Sequence, residues 1–138
     1  FHAGDAGNGQ VAKICNNMLL GIHMIGTCEA FNLAEKLGLS AQKFYDISST
    51  ASGQNWSMTS YCPAPGPVES APSNRNYEAG FTAAMMLKDL RLAQDAATTV
   101  SASTPLGSKS EAMYASMESA NKDSLDFSGI MKLINGSL

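Results

Sequence analysis

Apolar residues recur at spacings of three and four along residues 10–37, which is the pattern of an amphipathic α-helix. The positions that carry the pattern are Val11, Ile14, Cys15, Met18, Leu19, Ile22, Ile25, Leu33 and Leu37. Gly38 follows, in the place where a glycine commonly ends a helix. We therefore predict one helix of roughly 28 residues. Because it is apolar on more than one face, we expect it to run through the middle of the domain.

Two glycines, Gly21 and Gly26, lie inside this predicted helix. A glycine in a helix interior costs about 1 kcal/mol relative to alanine, so both positions need a compensating reason. Since a glycine lets another backbone or side chain come close, we predict that other helices cross the long helix at both points.

The rest of the chain contains shorter helical patterns and one irregular stretch. Helices are predicted over residues 41–49, 54–58, 82–100, 105–121 and 127–134, with caps at Ser40 and Asp126 and with Phe44, Ile47, Met85, Met86, Leu90, Leu92, Ala93, Ala96, Ala97, Met113, Tyr114 and Met117 facing inward. Three prolines within residues 63–67 exclude regular structure there. No segment alternates with period two, so the predicted fold class is all-α, a single helical domain built around one long central helix.

Composition narrows the class of protein. A chain of 138 residues with 44% hydrophobic and 15% charged residues fits one globular domain. The net charge of -3 and the lack of a Lys/Arg cluster argue against nucleic acid as a partner. The longest apolar run, residues 18–26, is too short to span a membrane. The chain begins at Phe1, directly before a glycine turn, and we interpret it as a fragment of a longer protein.

The three cysteines, Cys15, Cys28 and Cys62, are irregularly spaced and form no CxxC or zinc pattern. The first two lie roughly 20 Å apart along the predicted helix, which is too far for a disulfide. We predict reduced, buried thiols and no metal site.

The stretch with the most chemical interest combines three glycines with a lysine and two asparagines: Gly4, Gly7, Gly9, Lys13, Asn16 and Asn17. Residues three or four apart share a helix face, with about 5–6 Å between Cβ atoms. Lys13 and Asn17 therefore point the same way, and the glycines let a ligand approach the backbone. We interpret the stretch as half of an active site, in which Lys13 transfers a proton and Asn17 orients a carboxylate or hydroxyl.

Plainer interpretations stand beside this one. Lys13 could be a solvated surface lysine, and the two asparagines could be buried structural amides. The glycine order does not match the G-x-G-x-x-G dinucleotide fingerprint, and no strand precedes it.

Three other features invite attention. Lys88 and Asp89 are adjacent, so they cannot face each other on a helix, and a solvated face is the expected environment. His23 and Trp56 are expected to be a hydrogen-bonded core histidine and a packed aromatic residue.

Taken together, the motifs resemble those of the β-hydroxyacid dehydrogenase family, and the similarity is greatest to the branch that acts on 3-hydroxyisobutyrate. The matching residues are Gly4, Gly7, Gly9, Lys13, Asn16 and Asn17; Glu29-Ala30 with residues 33–38; residues 52–57 with 63–66; Gly80-Phe81 with residues 86–94; and Lys122-Asp123 with residues 126–128. The resemblance covers nearly the whole chain.

The resemblance implies a role for each residue on the substrate side. Lys13 matches the acid/base of the family at the reacting oxygen. Asn17 matches the residue that holds substrate, with Asn16 beside it and Gly9 along the approach. Trp56 belongs to the matching substrate-recognition loop.

The resemblance also implies a cofactor, NAD or NADP, bound mainly by a Rossmann domain that this chain lacks. Lys88 matches the lysine that reaches the cofactor, and Phe81 matches the residue beside the nicotinamide. Hydride transfer requires a positioned cofactor, so we expect the chain alone to be inactive and to bind NAD(P) weakly or not at all.

The implied reaction interconverts 3-hydroxyisobutyrate and methylmalonate semialdehyde. Alternatives are reduction of tartronate or succinic semialdehyde, a 6-phosphogluconate-type reaction, or a non-catalytic helical dimerisation module. The implied partners are a small hydroxy acid, the protein's own Rossmann domain and further copies of the protein. The implied location is the bacterial cytoplasm or the mitochondrial matrix.

Overall fold

The computed structural model describes residues 7–138. Its α-helices are α1 (Asn8–Lys36), α2 (Ala41–Ser48), α3 (Trp56–Thr59), α4 (Ala83–Val100), α5 (Pro105–Ser119) and α6 (Ile130–Asn135), with 3-10 helices at Pro72–Arg75 and Phe127–Gly129. Within the described residues, the β-structure is limited to one isolated bridge between Thr82 and Asp126. The all-α prediction is confirmed. Gly4, the first residue of the glycine motif, lies outside the described residues.

The long first helix is present and has 29 residues. Gly7, which precedes it, has a φ of 91°, and Gly38, just past its end, has a φ of 92°. Both values lie in the left-handed region that glycine adopts most easily. The helix begins two residues before the predicted start at residue 10, directly after Gly7, and its predicted stop at Gly38 is confirmed.

The buried face of α1 differs in part from the predicted one. The buried residues are Gly21, Met24, Ile25, Thr27, Cys28, Phe31 and Ala34. Helices α3 to α6 pack against this side of α1. Five residues of the predicted apolar pattern are instead exposed: Val11 (59%), Leu19 (56%), Leu33 (60%), Leu37 (77%) and Cys15. The reason is that α1 is apolar on two faces, whereas the other described helices cover mainly one.

The two glycines of α1 have different environments. A Cβ at Gly21 would lie 3.2 Å from Met86 Sδ and 3.3 Å from Leu90 Cδ2, so α4 crosses closely there. A Cβ at Gly26 would meet nothing within 4 Å. The predicted close crossing is confirmed at Gly21 and wrong at Gly26 within the described residues.

Smaller errors in the predicted core have the same origin. Residues predicted to face inward but found exposed are Ile47 on α2, and Met85, Leu92 and Ala96 on α4. Each of these helices packs with one face, and the extra apolar residues lie on the other. Phe44 was placed correctly, since its ring packs edge-on against Phe31 with centroids 4.8 Å apart. Tyr114 and Met117 of α5 are fully buried, as predicted.

The thiols also divide into two groups. Cys28 and Cys62 are buried and free, as predicted, and burial raises the pKa of the Cys62 thiol to about 11. Cys15 is free but exposed, so the prediction of a buried thiol is wrong there. It lies on the face of α1 that the described helices leave open.

The irregular stretch between α3 and α4 is held by hydrogen bonds from side chains to main-chain oxygens. The Tyr77 hydroxyl donates to the Pro63 carbonyl at 2.6 Å, and the Ser73 hydroxyl donates to the Cys62 carbonyl at 2.8 Å. These bonds hold the proline-rich segment against the core, next to Tyr61 in the sequence.

Candidate active site

The lysine–asparagine face of α1 meets the beginning of α4. The Asn17 amide donates to Asp89 Oδ2 at 2.8 Å, and Asn16 Nδ2 donates to Asn17 Oδ1 at 3.3 Å. Asn17 and Asp89 are half-buried, whereas Asn16 is exposed. The expectation of a fully solvated face at Asp89 is therefore wrong, since its carboxylate fixes the orientation of the Asn17 amide.

Lys13 lies one turn before Asn17 and is exposed. Gly9 lies one turn earlier still, and a Cβ there would meet nothing within 4 Å. The first turns of α1 thus leave open space beside an accessible amine. The plain interpretation of the asparagines as buried amides is not met for Asn16, which faces solvent.

A cavity of about 350 Å³ adjoins this face, and its lining residues are Asn16, Leu20, His23 and Trp56. Trp56 is 49% exposed, so the expectation of a packed aromatic residue is wrong. His23 is half-buried rather than in the core, and its Nδ1 lies 2.6 Å from the Ser57 hydroxyl. Burial lowers the pKa of His23 below its ordinary value of 6.5, which leaves the ring neutral near pH 7.

Behind Trp56, a chain of contacts leads to a buried carboxylate. The Trp56 ring stacks on Tyr61 with centroids 5.2 Å apart, and the Tyr61 hydroxyl donates to Asp126 Oδ1 at 2.6 Å. The same oxygen accepts the backbone N–H groups of Gly80 at 2.9 Å and Phe81 at 3.0 Å. Burial, together with the bond to Asp126, raises the pKa of the Tyr61 phenol well above its usual range.

The other carboxylate oxygen of Asp126 is also occupied. Oδ2 accepts the Ser128 backbone N–H at 2.9 Å and the Ser128 hydroxyl at 2.5 Å. Asp126 is fully buried, and its five donors satisfy the carboxylate there. The predicted capping role of Asp126 is confirmed, and the same side chain also fixes the turn before α4.

Phe81 and Lys88 are the two residues that the resemblance assigns to a cofactor. The Phe81 ring is half-buried and packs edge-on against Phe127 at 5.4 Å, while Lys88 is exposed. Phe81 lies two residues before α4 begins at Ala83, and Lys88 lies in the second turn of that helix. An aromatic ring and an ammonium group are the kinds of side chain that contact an aromatic, anionic nucleotide.

Most predicted site residues are therefore linked in two sets. Asn17 and Asp89 connect the Lys13 face of α1 to the Lys88 segment of α4. Trp56 and Phe81 are connected through Tyr61 and Asp126.

Three contributions to the site were not predicted: the bond from Asn17 to Asp89, the role of Tyr61, and the bonds of Asp126 beyond its capping role. Asp89 adjoins Lys88 in the sequence, and Asp126 has the local signal of a helix cap. Tyr61 and Asp126 are bonded to each other although they are 65 residues apart in the chain, a pairing that no local pattern indicates.

Among residues 7–138, no group of three or more His, Cys, Asp or Glu side chains comes together in a way that could hold a metal ion. The helices of the same residues include none with the length and hydropathy needed to cross a membrane.

Comparison with known proteins gives the family. A family model described as NAD-binding of NADP-dependent 3-hydroxyisobutyrate dehydrogenase matches residues 7–134. A probable 3-hydroxyisobutyrate dehydrogenase of Mycobacterium tuberculosis is 48% identical over 131 residues, which are 95% of this chain and 44% of that protein. An NAD-dependent L-serine dehydrogenase of Pseudomonas aeruginosa is 46% identical over 135 residues, 98% of this chain and 45% of that protein.

The fold gives the same relationship. The structure of the Mycobacterium tuberculosis 3-hydroxyisobutyrate dehydrogenase with L-serine superposes with a TM-score of 0.93 and 46% identity, over 97% of this chain and 46% of that one. The chain thus spans less than half the length of these relatives. The family model and the Pseudomonas aeruginosa relative are described with a nicotinamide cofactor, as the resemblance implied. The chain belongs to the 3-hydroxyisobutyrate dehydrogenase family of the β-hydroxyacid dehydrogenases, whose model is described as NAD-binding of NADP-dependent 3-hydroxyisobutyrate dehydrogenase.

Proposed function

We propose that this chain forms the helical wall of the active site in an NAD(P)-dependent dehydrogenase of small 3-hydroxy acids. The observation that carries the proposal is the hydrogen bond from Asn17 to Asp89 at 2.8 Å. It joins the face of α1 that carries Lys13 to the segment of α4 that contains Lys88, so the two helices with residues assigned to the substrate and to the cofactor are held together at this point.

Lys13 is the proposed acid/base. In the oxidising direction its neutral amine takes the proton of the substrate hydroxyl while a hydride leaves the carbinol carbon. In the reducing direction its ammonium group returns a proton to the aldehyde oxygen. Asn17, oriented by Asp89, holds a polar group of the substrate at the distance of one helical turn from Lys13. Asn16, Gly9 and Trp56 are proposed to line the path by which the substrate reaches Lys13.

NAD or NADP, when bound, exchanges the hydride with the substrate. Phe81 and Lys88 are proposed to contact its nicotinamide and its anionic part, respectively. These two residues would contact only one side of the cofactor, so a separate Rossmann domain of the same protein is proposed to complete the site. That division agrees with relatives more than twice as long as this chain.

The proposed substrate is 3-hydroxyisobutyrate, which is oxidised to methylmalonate semialdehyde. Relatives named for 3-hydroxyisobutyrate and for L-serine support this class, since both compounds carry a primary hydroxyl and a carboxylate. The test is an assay of the full-length protein with these two acids, tartronate semialdehyde and succinic semialdehyde, following nicotinamide absorbance. We expect the highest kcat/KM for 3-hydroxyisobutyrate. A clear preference for either semialdehyde would assign the chain to another branch.

A second proposal, self-association, rests on the exposed face of α1. Seven uncharged residues form a stripe there: Cys15, Leu19, Ile22, Gly26, Ala30, Leu33 and Leu37. All seven are exposed or half-buried. Their spacings are symmetric about Gly26, so an antiparallel second copy would bring Leu19 opposite Leu33, and Ile22 opposite Ala30. A self-complementary surface of this kind is what a two-fold interface requires.

The shape of the surface supports the same partner. Gly26 leaves room for a second backbone at the centre of the stripe, because a Cβ there would meet nothing within 4 Å. Beside the stripe lies an apolar groove of about 310 Å³, lined by Ala30, Leu33, Ala34, Leu37, Leu39 and Phe44. Leucines of one copy can insert into the groove of the other. We propose a homodimer about this axis, compatible with the catalytic role.

We expect Gly26→Cys, made together with Cys15→Ser, to form a disulfide-linked dimer under mild oxidation, because residue 26 would lie next to its own copy at the two-fold axis. Non-reducing electrophoresis and sedimentation velocity measure the result. Leu106→Cys in the same background is the control, since Leu106 is exposed on α5 and is not one of the seven stripe residues. Equal cross-linking of the two variants, or a monomer at high concentration, would contradict the proposed dimer.

A further inference from the structure

Trp56 lies in the sequence between Asn55 and Ser57, and each of these two neighbours forms a hydrogen bond with a residue of α1. His23 Nδ1 lies 2.6 Å from the Ser57 hydroxyl, and the Thr27 hydroxyl donates to Asn55 Oδ1 at 3.2 Å. His23 and Thr27 are four residues apart, so they project from one face of α1. The residues before and after Trp56 are thus tied to adjacent turns of the same helix.

These bonds matter because Trp56 has little burial of its own. Half of its surface is exposed, and its one ring contact among the described aromatic residues is the stack on Tyr61. Ser57 and Thr27, in contrast, are buried, and His23 is half-buried. The direction of the indole therefore depends on the backbone that the two bonds fix, and less on packing around the ring.

His23 has a second relation to Trp56, because both residues line the 350 Å³ cavity beside Asn16. A substitution of His23 therefore affects the cavity in two ways. It alters the part of the cavity wall that His23 itself forms, and it removes the hydrogen bond to Ser57. Thr27 holds Asn55, whose Oδ1 also caps α3 by accepting the Met58 N–H at 3.2 Å. Thr27 thus supports the start of the helix, whereas His23 holds the residue directly after the indole.

We propose that His23 is a positioning residue, which fixes Trp56 in the wall of the substrate cavity through its hydrogen bond to Ser57. The effect on substrate binding rests on the proposed function, but the effect on Trp56 does not. His23 touches no reacting atom in this account. At Nδ1, a neutral imidazole can either accept a hydrogen bond from the Ser57 hydroxyl or donate one to its oxygen. Either tautomer therefore maintains the link.

The first test uses the fluorescence of Trp56, which is the only tryptophan of the 138-residue chain. His23→Leu and His23→Asn are matched in shape, but only asparagine keeps a polar atom close to the position of Nδ1. We expect His23→Leu to change the emission maximum and increase acrylamide quenching, and His23→Asn to restore values near those of the native chain. Ser57→Ala should reproduce the leucine variant, since it removes the other half of the bond.

Circular dichroism melting of each variant separates a local effect from unfolding. If His23→Leu does not fold, Ser57→Ala and His23→Asn still decide the matter, because quenching is expected to increase in the first and to stay near the native value in the second. Unchanged Trp56 fluorescence in folded His23→Leu or Ser57→Ala would overturn the proposal. A double variant that adds the two single effects, in place of repeating one of them, would also contradict a shared bond.

The second test uses the full-length protein. We expect His23→Leu to raise KM for the hydroxy acid about five- to tenfold, the equivalent of one lost hydrogen bond, with kcat and KM for the nicotinamide cofactor nearly unchanged. His23→Asn should recover most of the KM. An unchanged KM in His23→Leu would overturn the positioning role. If the wild-type protein oxidises no hydroxy acid, the proposed function fails, while the fluorescence result still decides whether His23 positions Trp56.

Discussion

Lys13→Ala is expected to lower kcat of the full-length protein by about 10²- to 10⁴-fold, the usual contribution of a positioned acid or base. The amine is exposed on the first turns of α1, one turn from the amide that Asp89 holds. Removing it takes away the group proposed to carry the substrate proton, whereas no described packing contact depends on it. The measurement is steady-state nicotinamide absorbance at saturating substrate, together with a thermal melt of the same sample.

Two further lysine variants sharpen this result. Lys36→Ala removes an exposed lysine at the opposite end of the same helix, and we expect normal turnover from it. Lys13→Arg keeps the positive charge but cannot release a proton near neutral pH, so it should remain nearly as inactive as the alanine variant. Near-normal kcat in Lys13→Ala, with the fold intact, would exclude the proposed acid/base role.

Asp126→Asn is expected to destabilise the domain by about 2–4 kcal/mol, since it exchanges an oxygen that accepts several hydrogen bonds for an amide that donates. In the native chain, Asp126 accepts five hydrogen bonds, from Tyr61, Gly80, Phe81 and, twice, Ser128. An asparagine would point its NH₂ group at N–H or O–H donors, in a position that is fully buried. Urea unfolding followed by circular dichroism measures the loss.

Two substitutions bracket that prediction. Asp123→Asn, three residues earlier, changes a carboxylate whose side chain makes no hydrogen bond within residues 7–138, and it should cost little. Tyr61→Phe removes one of the five donors and should cost about 1–2 kcal/mol. If Asp126→Asn proved as stable as Asp123→Asn, the buried carboxylate would not organise the turn before α4.

The fold was largely predictable because helix boundaries are set locally. Gly7, Gly38, Ser40, Thr82 and Asp126 each cap or stop an element through their own backbone or side chain. The orientation of each helix was harder to predict, since α1 carries apolar residues on two faces. Spacing alone cannot say which of two apolar faces the rest of the chain will cover, and Leu33 and Leu37 were assigned to the wrong one.

The site was predictable only where its residues lie on one helix. Lys13 and Asn17 share a face by their spacing alone, but the partner of Asn17 is Asp89, 72 residues away. The environment of His23 depends in the same way on Ser57, 34 residues later in the chain. The half-exposed position of Trp56 likewise follows from how α3 packs on α1. Tertiary contacts of this kind leave no local signal in a single sequence.

In the proposed enzyme, this chain supplies one wall of the dehydrogenase site and a nucleotide-binding domain supplies the other. The most direct measurement is a parallel assay of the full-length protein and of the 138-residue chain with 3-hydroxyisobutyrate and NAD or NADP, combined with calorimetric titration of the cofactor. We predict turnover in the full-length protein, no turnover in the chain alone, and weak or no binding of the cofactor to the chain. Micromolar cofactor binding or turnover by the chain alone, or an inactive full-length protein, would contradict the claim.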